Sequence, residues 1–171
     1  LLVDMSSVNY SLATAVPVEK IFNGVSPIVS MKAVKNKTEQ DGFRDAMLRD
    51  GVAVVKFLAW LKPAVEAGGQ TEISLDVRLT ALRAEQSKFK GISFDTIVGY
   101  EEHGAIVHYE ATPETDIPVK PRGLVLIDSG AQYLDGTTDI TRTIALGELT
   151  EEQRRVYTLV LKGHIQLDMC K

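Results

Sequence analysis

An apolar segment that ends at one aspartate and turns back through a second aspartate constrains this chain more than any other feature. Residues 124–127 read Leu-Val-Leu-Ile, Asp128 follows directly, Asp135-Gly136 marks a turn, and Asp139 opens the returning segment. This pattern predicts a β-hairpin. Residues paired across a two-residue tip have an odd separation, and Asp128 and Asp139 are 11 residues apart. Because side chains alternate along a strand, both carboxylates are expected on one face of the sheet.

The register of this hairpin stays open between two tips. A tip at Tyr133–Leu134 sets the two carboxylates directly opposite each other. The stronger turn chemistry of Asp135–Gly136 instead pairs Asp139 with Gln132, about 13 Å along the strand from Asp128 at roughly 3.3 Å per residue. A β-bulge just before Asp139 would absorb part of that offset.

Two like charges on one sheet face repel each other and are costly to bury unless something neutralises them. Divalent metal ions do this, and oxygen ligands suit hard ions such as Mg²⁺ and Mn²⁺. Thr141 and Thr143 follow on the returning strand, where their hydroxyls are placed to donate hydrogen bonds to the aspartates. The alternative is a solvent-facing hairpin whose acids are hydrated and whose threonines reflect β-propensity alone.

Composition narrows the class of protein. The chain has 171 residues, of which 44% are hydrophobic and 25% charged, which is typical of one globular domain and excludes a disordered or collagen-like chain. Its 19 basic and 23 acidic residues give a net charge of −4, so neither a nucleic acid nor an anionic membrane is expected as a partner. No apolar run approaches the ~20 residues of a membrane span. Cys170 is the single cysteine, which fits a reducing compartment.

The order of the elements predicts an α+β fold. A long helix starts near Thr38 with a weak capping box and is bounded by Pro63 and Gly68-Gly69. A second helix follows Thr71, and the capping box Thr150–Gln153 opens the last helix. Between them, short runs rich in β-branched and aromatic residues predict strands. These runs are Ile92–Val98, Gly104–Tyr109, Gly123–Ile127 and Asp139–Leu146.

The first part of the chain is more mixed. It predicts a strand over Leu1–Met5, a short helix capped by Ser6-Ser7, and an extended segment over Ile28–Val34. The chain starts without Met and stops at Lys171 inside a helical pattern. We therefore expect a fragment of a longer protein.

The three histidines do not form an obvious cluster. His108 ends the apolar run that starts at Gly104, and on the residues alone it is most simply a core-edge histidine satisfied by a backbone carbonyl. His103 is expected in a loop, and His164 is expected to pack on the last helix. The chain also lacks a Gly-rich phosphate loop and a Gly-x-Ser-x-Gly motif, so nucleotide and serine-hydrolase chemistry find no support.

Several segments together resemble aminopeptidase P (Xaa-Pro aminopeptidase), a family of the pita-bread metallopeptidases, and its cytosolic branch in particular. The hairpin reads Asp128-Ser-Gly-Ala-Gln-Tyr and then Asp-Gly-Thr-Thr-Asp139-Ile-Thr-Arg-Thr, and it is preceded by Gly-Ala-Ile-Val-His108-Tyr. The likeness extends through Ala33-Val-Lys-Asn, Gly69-Gln-Thr-Glu-Ile-Ser and Val160-Leu-Lys-Gly-His-Ile, and thus covers nearly the whole chain.

The resemblance implies a fold and a set of roles. Residues 1–30 would be the end of a preceding N-terminal domain and a linker, and residues 31–171 the first half of an α+β pita-bread (creatinase/aminopeptidase) domain. Asp128 would chelate one metal and Asp139 would bridge two divalent ions, usually Mn²⁺. His108 would bind substrate and stabilise the reacting carbonyl. A hydroxide held between the ions would attack the bond before proline in Xaa-Pro peptides.

The chain also departs from the family pattern. The resemblance implies one further His and two Glu ligands from a second half of the domain, which are not found after Asp139, so the chain alone is expected to be inactive and to leave an uncovered apolar face. His103 stands where a small or amide residue is expected. A cytoplasmic location and a homodimer are implied for the parent protein. The alternatives are a prolidase-type Xaa-Pro dipeptidase and a catalytically silent module that binds peptides or proteins.

Overall fold

A computed structural model describes residues 1–170, and the packing of the chain divides it into two compact units, Leu1–Gln40 and the part from Asp41 onward. In the first unit, strand β1 (Leu2–Val3) pairs in parallel with β2 (Phe22–Asn23). Helix α1 (Tyr10–Thr14) is capped by the side chain of Asn9. The predicted cap at Ser6-Ser7 is therefore wrong, because those residues form a turn closed by Asp4.

The segment predicted as extended over Ile28–Val34 is instead helix α2 (Pro27–Ala33). The Ser26 hydroxyl accepts a hydrogen bond from the amide of Ile28, and Pro27 occupies the first helical position. Both residues are typical of a helix start, because proline has the helical φ and no amide that needs a partner there. The apolar composition of the segment obscured this signal.

Helix α3 (Lys37–Ala67) is the longest element. Its cap differs from the prediction, Pro63 does not bound it, and the predicted boundary at Gly68-Gly69 is confirmed. Asn36 caps it instead of Thr38: its side-chain oxygen accepts from the amide of Glu39, and the Glu39 carboxylate accepts from the amide of Asn36. Pro63 lies inside the helix, which ends before Gly68 in the left-handed conformation (φ 84°). Its buried face carries Ala46, Asp50, Ala53, Phe57, Leu61 and Val65.

Helix α4 (Glu72–Ala84) begins at the predicted cap, where Thr71 and Ser74 exchange side-chain-to-backbone hydrogen bonds. Two antiparallel three-stranded sheets follow, ordered β4-β5-β8 and β3-β6-β7. Their strands are β3 (Phe89–Ile92), β4 (Ile97–Tyr100), β5 (Leu124–Ser129), β6 (Ala131–Tyr133), β7 (Gly136–Thr137) and β8 (Ile140–Ala145). The main core packs α3 and α4 against the buried face of β4 and β5.

Two predicted strands are wrong. The run Ile92–Val98 is not one strand, because β3 ends at Ile92 and β4 begins at Ile97 in the other sheet. The run Gly104–Tyr109 forms no strand; a 3₁₀ helix covers Glu101–Ala105 and a turn leads to Tyr109. Gly104 lies so close to β4 that a Cβ placed on Gly99 would come within 2.8 Å of the Gly104 backbone. The chain folds back at this point, which prevents an extended continuation.

Helix α5 (Glu151–Asp168) starts at the predicted capping box of Thr150 and Gln153. The apolar residues of α5 are exposed, in agreement with the expected uncovered apolar face. Within the described residues, nothing buries any residue of α5. The helix ends at Asp168. The expectation that the chain stops inside a helix is therefore wrong for Met169 and Cys170, and Lys171 lies outside the described residues. None of the described helices is both long and apolar enough to cross a membrane. The α+β order is confirmed.

Candidate metal centre

The hairpin that carries the two aspartates adopts a register between the two that the sequence left open. Asp128 pairs with Thr141, and Tyr133 pairs with Gly136, so the tip lies at Leu134–Asp135. The same register puts Asp139 two positions before Thr141. Asp139 lies one residue before β8, so continued alternation would put it on the face of Asp128, as a diagonal neighbour at a typical separation of about 7–8 Å.

Contacts with the helices hold this register. The Tyr133 hydroxyl donates a 2.9 Å hydrogen bond to Asp50 of α3. At the tip, Asp135 forms ion pairs with Arg49 and, at 2.6 Å, with Lys88. The hydrogen bond from Lys88 and the charge of Arg49 hold the pKa of Asp135 below its usual value. These contacts fix the tip against α3 and β3, which local turn chemistry could not reveal.

The hairpin crosses from one sheet to the other at Gly130, and this crossing sets the position of Asp139. A Cβ on Gly130 would lie 2.0 Å from the carbonyl oxygen of Thr138, so only glycine allows the two segments to approach this closely. The Ser93 amide donates to the Gly130 carbonyl at 3.1 Å, and the Ser93 hydroxyl donates to the Thr138 carbonyl at 2.9 Å. The backbone just before Asp139 is therefore fixed from both sides.

The two carboxylates have different surroundings. Asp128 is half-buried and accepts a 2.7 Å hydrogen bond from the Thr141 hydroxyl, the contact that the alternation on the strand predicted. Asp139 is exposed, and within residues 1–170 its carboxylate has no hydrogen-bond or ion-pair partner. One anchored and one free carboxylate on a common face suit part of the oxygen ligand set of a hard divalent ion. Among the described residues, no group of three or more His, Cys, Asp or Glu side chains could hold a metal.

His108 lies on the segment that replaces the predicted strand. Its side chain is exposed, and its backbone is left-handed, with φ 55°. The segment folds over the sheet face that carries Asp128, because a Cβ on Gly104 would lie 3.8 Å from the Cβ of Leu126, two residues before Asp128 on β5. Because the His108 side chain is exposed, the interpretation of His108 as a core-edge histidine is wrong. His164, on α5, is exposed as well. The predicted packing role requires a buried side chain, and none of the described residues buries His164.

Glu72, which is fully buried at the start of α4, was not predicted as a site residue from any local pattern. Its carboxylate accepts hydrogen bonds from the Tyr100 amide at 2.8 Å and the Tyr109 hydroxyl at 3.0 Å. His103 Nδ1 lies 3.0 Å from both carboxylate oxygens, and its ring packs against that of Tyr109 with centroids 4.4 Å apart and an interplanar angle of 35°. His103 is thus a half-buried member of a hydrogen-bonded cluster and not a simple loop residue.

Residues 41–171 match the sequence model of metallopeptidase family M24. The chain belongs to this family. It is 46% identical over 144 residues to a probable Xaa-Pro aminopeptidase P of Laccaria bicolor, a match that covers 84% of this chain and 22% of the relative. This M24 chain is therefore similar to aminopeptidase P over most of its length, as the motifs predicted.

Solved structures give the same result. The X-prolyl aminopeptidase of Caenorhabditis elegans, described as a cytosolic enzyme with a di-nuclear active site, superposes with a TM-score of 0.81 at 38% identity, covering 92% of this chain and 26% of that one. Prolidase from Pyrococcus furiosus superposes with a TM-score of 0.79 at 25% identity, covering 95% and 46%.

These matches confirm the predicted fold, part of an α+β pita-bread domain. The chain spans about a quarter of the length of the curated aminopeptidases that it matches, between 22% and 29%.

Proposed function

We propose that this chain is part of a metal-dependent aminopeptidase that removes the N-terminal residue from peptides with proline in the second position. The observation that carries the proposal is the pair Asp128 and Asp139 on one sheet face, in a chain 46% identical to a probable Xaa-Pro aminopeptidase P. A second half of the domain would supply the remaining ligands. By itself the chain should therefore be inactive.

Asp128 and Asp139 are the residues that would hold two divalent metal ions, with Mn²⁺ the expected metal. Asp128 is oriented by the Thr141 hydroxyl, which leaves its other lone pairs for a metal. The metal ions, when bound, activate water and stabilise negative charge on the scissile carbonyl. His108, exposed on the segment folded over the same face, would bind the peptide and donate a hydrogen bond to that carbonyl.

The domain assignment belongs to the same proposal. Residues 1–30 would be the end of a preceding N-terminal domain and a linker, and residues 31–171 the first half of the catalytic domain. A cytoplasmic location is supported by the cytosolic Caenorhabditis elegans relative, and a homodimer is the assembly we expect for the parent protein.

Prolidase is the second candidate, because prolidases are structural neighbours of this chain. A prolidase accepts only dipeptides, so a Xaa-Pro dipeptide and a Xaa-Pro-Pro tripeptide separate the two. Preference for the tripeptide supports an aminopeptidase. A catalytically silent, peptide-binding module is the third candidate and predicts no release from either peptide.

The experiment measures release of the N-terminal residue from a Xaa-Pro-Pro peptide by the full-length protein, with and without added Mn²⁺. Metal-dependent release that Asp139→Ala abolishes is expected. Asp45→Ala is the matched control, because Asp45 is an exposed aspartate on α3 and lies outside the hairpin. No release by the metal-loaded protein would exclude the aminopeptidase and favour the silent module.

A further inference from the structure

The segment that carries His108 is held in an unusual backbone conformation. It starts at Glu101 with φ 48° and ends at His108 with φ 55°, and these are two of only three non-glycine residues with positive φ among residues 1–170. This conformation is energetically unfavourable for a residue with a side chain and persists only where the surroundings impose it. Some contact must therefore stabilise both ends of this segment.

Glu72 provides that contact. It accepts from the amide of Tyr100, the residue before Glu101, and from the hydroxyl of Tyr109, the residue after His108. It also contacts His103 in the middle of the segment at 3.0 Å. One carboxylate on the rigid start of α4 thus contacts the beginning, the middle and the end of the segment.

Each of these contacts is strong for a physical reason. Hydrogen bonds to a charged acceptor contribute about twice as much as neutral ones, and the Glu72 carboxylate is fully buried, so water does not compete for it. Burial, together with the neighbouring Glu72, raises the pKa of Tyr109, so its hydroxyl stays protonated and donates at neutral pH. His103 packs its ring against the ring of Tyr109 and limits its rotation.

We infer that Glu72, His103 and Tyr109 form a positioning cluster that sets the orientation of the His108 side chain for the proposed aminopeptidase reaction. The inference rests on the proposed function, in which His108 contacts the substrate carbonyl. None of the three residues needs to touch the substrate. They act through the backbone of His108, which is bonded directly to Tyr109.

The test is a double-mutant cycle in the full-length, Mn²⁺-loaded protein with a Xaa-Pro-Pro peptide. Tyr109→Phe removes one hydroxyl and keeps the ring. We expect about a tenfold lower kcat/KM, because small misplacements of a catalytic group reduce rates by one to two orders of magnitude. In a His108→Ala background the same substitution should change kcat/KM by less than about twofold, because its effect passes through His108. Tyr10→Phe, at a residue 81% exposed, is the matched control.

A second pair of variants separates positioning from folding. His103→Asn keeps an N–H donor near the position of Nδ1 and should retain activity within about twofold, whereas His103→Leu has similar bulk without the donor and should lose several-fold. His103 is half-buried, so both variants are expected to fold, and thermal unfolding checks this.

Equal losses for Tyr109→Phe with and without His108, or equal activities of the two His103 variants, would overturn the positioning role while leaving the aminopeptidase assignment intact. A wild-type protein with no peptidase activity would overturn both.

Discussion

Asp50 of α3 links helix α4 and the hairpin strand β6, and its removal should be one of the most damaging single changes in this chain. Arg83 of α4 donates to both carboxylate oxygens, at 2.8 and 3.0 Å, and Tyr133 of β6 donates to one of them at 2.9 Å. The side chains of Asp50 and Arg83 are both 0% exposed. Asp50→Ala leaves a buried guanidinium without a counter-charge and a buried phenol without an acceptor.

The magnitude follows from this geometry. Breaking a buried ion pair by removing one partner typically costs about 3–5 kcal/mol. For a chain of this size, each kcal/mol shifts the melting temperature by about 2–4 °C, so a fall of roughly 10 °C is expected. Urea unfolding followed by the fluorescence of Trp60, the single tryptophan, measures the change on α3 itself. Asp45→Ala is the control, because Asp45 is exposed on the same helix and should change stability by less than about 0.5 kcal/mol.

A compensating variant tests the cause. Replacing all three partners with apolar residues (Asp50→Leu, Arg83→Met and Tyr133→Phe) removes every orphaned polar group, and such replacements are often neutral or stabilising. It should recover most of the loss. A loss below about 1 kcal/mol for Asp50→Ala, or a triple variant as unstable as the single one, would refute the buried-charge argument.

Four further outcomes are expected. Burial and the Asp50 carboxylate raise the pKa of Tyr133, so its contribution to stability is complete below about pH 10 and lost at higher pH; alkaline unfolding curves should flatten in Tyr133→Phe. The lowered pKa of Asp135 means that its contribution is present above about pH 4 and lost as the pH falls, so Asp135→Asn and wild type should converge in stability in acid. Thr141→Val removes the hydrogen bond to Asp128 and should weaken Mn²⁺ binding by the full-length protein about 10–100-fold by calorimetry, whereas unchanged affinity would argue against that role. The isolated chain should show no turnover and should self-associate through the exposed face of α5; a dilute monomer on size-exclusion chromatography would contradict the second part.

The features that the sequence predicted well have local causes. The capping boxes at Thr71 and Thr150 place the starts of α4 and α5, because each needs only side chains three residues apart. The shared face of Asp128 and Asp139 follows from alternation along a strand. The observed register differs from each expected register by two positions on the returning strand, and an even shift leaves every side chain on the same face.

The features that it missed depend on residues far apart in the chain. The tip of the hairpin is set by Tyr133 reaching Asp50, 83 residues away, and by the ion pairs of Asp135. Glu72 reads locally as an acid in the first turn of a helix, where the helix dipole favours it. Its burial results from contacts with Tyr100 and Tyr109, residues 28 and 37 positions away, which no local pattern reports.

These long-range contacts also bear on how the proposed metal centre is built. The crossing at Gly130, the bond from Tyr133 to α3 and the bond from Thr141 to Asp128 fix the hairpin, and none of them uses a metal ion. These contacts hold the hairpin backbone and the Asp128 side chain, whereas the Asp139 carboxylate has no such partner within residues 1–170. Because like charges on one face repel each other, this arrangement stores an unfavourable interaction that the buried contacts offset and a divalent ion would relieve. We therefore expect metal binding by the full-length protein to require little rearrangement of the hairpin backbone, because these contacts already hold it.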